Sequence, residues 1–205
     1  MTRGNVTYQF LLAVRRGEYF RIANDERFDA ASRALAGIAD TIFDNGSVYM
    51  QFISSDAGVT TYFFDNKLHN NIKFGMAAAA SVGIMATDFM LSSKGARFPE
   101  VFTYSAMLAV PFIAATTGPG IVRRKRRVPD SDLWLKYEIT GRQYKNMQAE
   151  LKGAGRKQNG EIYQILMNNC SSYALRFASR HGLEVPSICL PTPRKLANKI
   201  EEMIL

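Results

Sequence analysis

Tyr163-Gln-Ile-Leu-Met-Asn-Asn-Cys-Ser-Ser-Tyr-Ala-Leu-Arg-Phe-Ala-Ser-Arg-His-Gly182 reads as a short extended run that stops at Asn168-Asn169, with a helix beginning at Cys170. Tyr173, Ala174, Phe177 and Ala178 recur at helical spacing and give that helix one apolar face. Asn169 is a good N-cap, and Arg180, His181 and Gly182 make a basic last turn closed by a glycine. Cys170 is thus expected in the first turn of a buried helix. Orphan N–H groups and the helix macrodipole favour negative charge there, which lowers a thiol pKa and makes a nucleophile. The plainer alternative is a small buried cysteine that only packs.

A cysteine nucleophile needs a base, and the chain has two histidines. His181 lies eleven residues after Cys170 on the same expected helix, roughly 16 Å away at the α-helical rise. It cannot reach the sulfur and reads as a cation at the helix C-terminus. His69 is the remaining imidazole, distant in sequence as nucleophile and base commonly are. A third group should hold the imidazole in the right tautomer. Asp65, Asn71, Asp88 and Gln51 all qualify, and the sequence does not choose among them. The backbone N–H of Cys170 and a neighbouring donor would stabilise an oxyanion.

Working outward, 205 residues suit a single domain with a full core and a helical insertion. The net charge of +8 favours an anionic partner such as cell-wall polymer or anionic lipid. Nucleic acid is not expected, since the basic residues form no stripe interleaved with aromatics and no zinc-finger spacing is present. Two cysteines, Cys170 and Cys189, make no disulfide framework. Neither a cofactor nor a metal is called for. Only five apolar residues, Phe10 to Val14, precede Arg15-Arg16, too few for a secretory signal.

Residues 5–14 read as a strand, and Phe28, Ala31, Leu35, Ile38, Ala39 and Ile42 mark one face of a helix from Asp25 to Asp44. Val48–Ser54 and Val59–Phe64 form a hairpin around Asp56-Ala57-Gly58, and 69–74 is a third short strand or a helix lead-in. Two apolar segments follow. Phe74–Leu91 carries one charge, Asp88, and Val101–Val122 carries none over 22 residues. They read as a pair of core helices. Their composition also permits membrane contact through 74–127, with the basic run Arg123–Arg127 at an anionic face and otherwise a solvated loop. The chain returns to strand before Ile139. Thr140 to Gln143 fits a capping box for a helix with Tyr144, Met147 and Leu151 as its stripe. Thr192 caps a last helix with Pro193 at its first position, packing through Leu196, Ile200 and Met203 or Ile204.

Asp130-Ser131-Asp132, then Tyr137-Glu-Ile-Thr140 with Gln143-Tyr144, then Tyr163-x-x-Leu166-x-Asn-Asn-Cys170 and a helix ending His181-Gly-Leu183 resemble one protein group. That group is the circularly permuted papain-like cysteine hydrolases, including NlpC-type peptidases and lecithin:retinol acyltransferase-like proteins. The resemblance covers about a quarter of the chain. It implies an α+β permuted papain-like (NlpC-type) fold, a small antiparallel sheet packed on helices, with 74–122 as an apolar helical insertion in one domain, 1–205. It implies Cys170 as nucleophile and His69 as base. The family's histidine usually opens a strand. The stretch most like that strand, Tyr49 to Ile53, has Gln51 and no histidine, so either His69 serves from a shifted position or the chain is an inactive relative.

The activity so implied is an amidase or endopeptidase acting on peptidoglycan peptides. A small basic chain of this kind is similar to type VI secretion amidase effectors. These are antibacterial toxins made in the cytoplasm, delivered to a target periplasm and countered by an immunity protein. Two alternatives remain: a membrane-associated thiol acyltransferase or lipid hydrolase, and a catalytically decayed interaction protein.

Overall fold

The computed structural model describes residues 6–43, 46–67, 70–93, 110, 117–126, 130–156, 161–164 and 167–204. Its elements are β1 (Tyr8–Arg15), α1 (Glu18–Ala23), α2 (Ala30–Phe43), β2 (Ser47–Ser54), β3 (Gly58–Asn66), α3 (Asn70–Ser93), β4 (Gly118–Lys125), β5 (Leu133–Ile139), α4 (Gly141–Arg156), β6 (Ile162–Tyr163), α5 (Cys170–Arg180) and α6 (Pro193–Ile204). The class is α+β, a six-stranded antiparallel sheet packed against helices, in the order β5-β1-β2-β3-β4-β6. The chain divides into two compact units: Met1–Asp65 with Val122–Gln158 and Leu166–Leu205, and Asn66–Ile121 with Asn159–Ile165.

Alternation along the strands decides the first unit's core. In the β1–β2 register Phe10 faces Phe52 and Leu12 faces Met50, and in the β2–β3 register Met50 faces Tyr62. These side chains share the sheet face covered by helices, the inner face below. Phe10 meets Phe177 of α5 at 6.0 Å between ring centroids, Phe52 meets Tyr144 of α4 at 5.9 Å, and Phe64 stacks on Tyr173 at 4.2 Å. Met147, Leu151, Phe177, Leu196 and Ile200 complete the buried layer, each large side chain contributing about 1.5–3 kcal/mol on burial.

Helix ends follow from local chemistry. Thr140 and Gln143 form the expected capping box, with Gln143 N–H donating to Thr140 Oγ1 and Thr140 N–H to Gln143 Oε1. Gly182 has a positive φ of 76° and closes α5. Its N–H donates to Ser179 and that of Leu183 to Ala178, which satisfies the last carbonyls. Thr192 caps α6, its Oγ1 accepting from Lys195 N–H. The packing face of α6 stops at Ile200, because Met203 and Ile204 are exposed.

Elsewhere the expectations needed correction. The chain from Asp25 to Phe28 turns rather than coils, and α2 starts at Ala30 behind Asp29, whose carboxylate accepts from Ser32 N–H. Leu35 is 68% exposed while Ala36 is buried, so this half of α2 packs through its small side. Of the two readings of 69–74, strand or helix lead-in, the helix is found, with α3 running from Asn70 to Ser93. The stretch Gly118–Val122, expected at the end of a second apolar helix, is strand β4, and Arg123–Lys125 extend that strand instead of forming a loop. Gly118, Pro119 and Gly120 suit an extended course better than a helix interior. Residues 94–109 and 111–116 of the expected helix pair lie outside the described residues.

In the second unit α3 is the long element. It is not a buried core helix: Val82, Met85, Phe89 and Met90 are exposed, Phe89 by 75%. The half-buried side carries Ser81, Ile84, Asp88 and Leu91. Among the described residues no helix is long and apolar enough to cross a membrane. β4 and β6 pair antiparallel with Gly118 opposite Tyr163.

Candidate active site

Cys170 is the first residue of α5 and is 4% exposed. The residue before it builds the site. Asn169 is extended (φ −99°, ψ −174°), and its Oδ1 accepts from the N–H groups of Ser171 at 2.9 Å and Ser172 at 3.0 Å. The Ser172 hydroxyl accepts in return from Asn169 N–H at 2.9 Å, completing a reciprocal cap. Asn169 Nδ2 donates to the Pro191 carbonyl at 2.9 Å, which ties the cap to the segment before α6. Asn168 is oriented too, its Oδ1 accepting from Arg176 at 2.8 Å.

The cap has two chemical consequences. No acidic residue lies in the first turn of α5. A neutral amide does the capping, so no carboxylate competes for the positive end of the helix dipole. The N–H groups of Ser171 and Ser172 are already engaged, so neither is the second oxyanion donor the sequence called for. The Ser171 hydroxyl, fully buried beside the cysteine, has no hydrogen-bond partner. Cys170 and Cys189 form no disulfide.

His69 lies outside the described residues. His181 is where its sequence position put it, at the C-cap of α5. Its Nε2 sits 2.8 Å from Glu150 Oε2, and its ring packs 4.8 Å from Phe177. Gln51 is buried in the middle of β2, but strand alternation turns it away from Phe52 and hence to the sheet face opposite α5. Asp65 shares that outer face with Phe63 and pairs with Arg123 at 3.7 Å. Neither Gln51 nor Asp65 is aimed at the face that carries Cys170. Asn71 and Asp88 belong to α3 in the second unit. Among the described residues no three His, Cys, Asp or Glu side chains cluster to hold a metal.

Two inner-face groups were not singled out by the sequence reading. The Tyr62 hydroxyl and the Gln148 side-chain nitrogen are buried without a partner. Burial raises the Tyr62 pKa above the ordinary phenol value, partly offset by the Arg124 charge. The available signal was a glutamine inside the apolar stripe Tyr144, Met147, Leu151. The chain gives no match to protein-family models, to curated proteins or to solved structures.

Proposed function

We propose that the chain is a cysteine hydrolase of the permuted papain-like type, cleaving amide bonds in peptidoglycan peptides as an antibacterial effector. One observation carries the reading: a buried cysteine opens a helix behind a fully formed asparagine cap, with no acid in the first turn. In the proposed reaction His69 takes the thiol proton while the sulfur of Cys170 bonds to the substrate carbonyl carbon. The C–N bond breaks, and the imidazolium returns its proton to the leaving amine. Water then attacks the thioester, its proton passing through the same imidazole, and the carboxylic acid and thiol are released. An immunity protein would shield producing cells.

The test replaces Cys170 by Ala in the full chain. Digestion of purified peptidoglycan and toxicity on periplasmic delivery are expected to vanish while the melting curve is retained. Undiminished digestion by Cys170→Ala would end the proposal. A second reading, a membrane-associated thiol acyltransferase or lipid hydrolase, draws on the exposed apolar side chains of α3. Co-flotation with anionic vesicles, together with acyl transfer onto Cys170, would favour it over wall hydrolysis.

A further inference from the structure

On the inner face, Tyr62 is 2% exposed and Gln148 8%, and the Tyr62 hydroxyl and Gln148 Nε2 make no hydrogen bond. Helix α4 brings them to one place. Its Gly141 lies against the Tyr8 ring of β1, its Tyr144 packs edge-on to Phe52 of β2, and its Gly155 lies over the Val122 carbonyl of β4. Gln148 follows Tyr144 by one turn and so falls between β2 and β4, over β3. Tyr62 of β3 is there, packed edge-on to the same Phe52. No bond joins the two whichever way the amide is turned. Within reach, an NH2 would donate to the phenol oxygen and a carbonyl would accept from the hydroxyl. Each group is left needing a partner that the other does not supply.

A third donor stands alongside. On the outer face Arg123 pairs with Asp65 and Lys125 covers the Phe63 ring. Alternation along β4 puts Arg124 on the same inner face as the buried Val122, where its charge acts on the Tyr62 hydroxyl. Arg124 is exposed and makes no ion pair among the described residues. Phe64 stacks on Tyr173, three residues from Cys170 on α5. A phenol kept protonated by burial, an amide NH2 and a guanidinium call for an anionic oxygen acceptor.

We infer that Tyr62, Gln148 and Arg124 form a carboxylate-recognition site, through which an acidic peptide is selected for attack by Cys170. The role in substrate choice rests on the hydrolase reading; the affinity for a carboxylate does not.

The experiment titrates full-length protein carrying Cys170→Ala, which prevents turnover, with the tripeptide Ala-Glu-Ala and with its fully amidated counterpart. The free acid is expected to bind at least tenfold more tightly. Arg124→Gln should abolish that preference and Tyr62→Phe should cut it at least threefold. Lys136→Gln, on the outer face, should leave it intact. Tyr62→Phe should melt no lower than its parent, because its hydroxyl has no bond to lose. Equal binding of the two peptides, no binding at millimolar concentration, or a preference unmoved by Arg124→Gln overturns the site. A lower melting temperature for Tyr62→Phe also overturns it, since the hydroxyl would then be held by the fold or a structural water. If wild-type protein prefers the acid yet digests no peptidoglycan, the hydrolase reading falls and the carboxylate site stands.

Discussion

Replacing Asn169 separates two roles of one side chain, capping a helix and keeping its start free of negative charge. Asn169→Ala removes the acceptor for Ser171 and Ser172 N–H and the donor to Pro191. A lost N-cap costs about 1 kcal/mol and up to 2, and a carbonyl left short of its donor about 1 more. The expected loss is therefore about 2–3 kcal/mol, a fall in Tm of roughly 4–12 °C for a chain of this size. Asn169→Asp keeps the capping oxygen but places a charge beside the sulfur. Both residues are buried. Two charges about 6 Å apart at an effective dielectric near 20 repel by about 3 kcal/mol, roughly a hundredfold in thiolate population. The assay is iodoacetamide alkylation of Cys170 across pH in a Cys189→Ser background, beside thermal unfolding. Asn169→Asp should alkylate far more slowly at neutral pH and unfold later than Asn169→Ala. Equal alkylation in wild type and Asn169→Asp would refute electrostatic control by the helix start. A stability change under about 0.5 kcal/mol in Asn169→Ala would refute the capping estimate.

Three further outcomes are expected. Burial, with a smaller effect from Glu184, pushes the Tyr137 phenol up to about 12, and its hydroxyl donates to the Glu184 carbonyl at 2.7 Å; since the folded pKa is the higher one, this stability is present below about pH 10 and is lost as pH rises toward 12, so alkaline denaturation should be shallower in Tyr137→Phe. A Cβ at Gly46 would meet the Arg15 carbonyl and Pro193 Cβ, both at 2.7 Å, so Gly46→Ala should cost about 1–3 kcal/mol in denaturant unfolding. Phe177 is fully buried against Phe10 and His181, and Phe177→Ala should cost about 3–5 kcal/mol, with a loss under 1 counting against α5 as a core helix.

Elements whose signals are local were legible in the sequence. The 56–58 hairpin turn, the Thr140–Gln143 box, the Asn169 cap and the Gly182 stop each depend on residues within a few positions of one another, and each formed as read. Long-range competition defeated the rest. Leu35 sits in a good helical stripe yet faces out, because Ala36 makes the contact. Phe74 to Leu91 is apolar enough for a core, but apolarity does not say which side is covered, and Phe89 and Met90 are left exposed. Gly118–Val122 was joined to an apolar run by composition, although its glycines and proline are poor residues for a helix interior. For the candidate site, the place of Cys170 was legible and the face of Gln51 was not, since a face is fixed only when strand register is known.

That face assignment constrains the chemistry open to Cys170. The inner face shows Tyr8, Phe10, Leu12 and Val14 from β1, and Val48, Met50, Phe52 and Ser54 from β2. Ser54 is already bonded to Asp56. From β5 it shows Leu133, Leu135, Tyr137 and Ile139, and from β3 Thr60, Tyr62 and Phe64. Val122 and Arg124 of β4 share it. None of these side chains can act as a base near neutral pH. A strand-borne histidine of the kind the resemblance implies therefore has no counterpart at these inner-face positions. A base serving Cys170 would have to come from a helix or a loop and not from these strand positions. Gln51, whose strand looks most like the family's, is excluded by parity alone. Gln51→His should therefore leave alkylation of Cys170 unchanged, whereas a gain in its rate near neutral pH would place the two side chains on the same face.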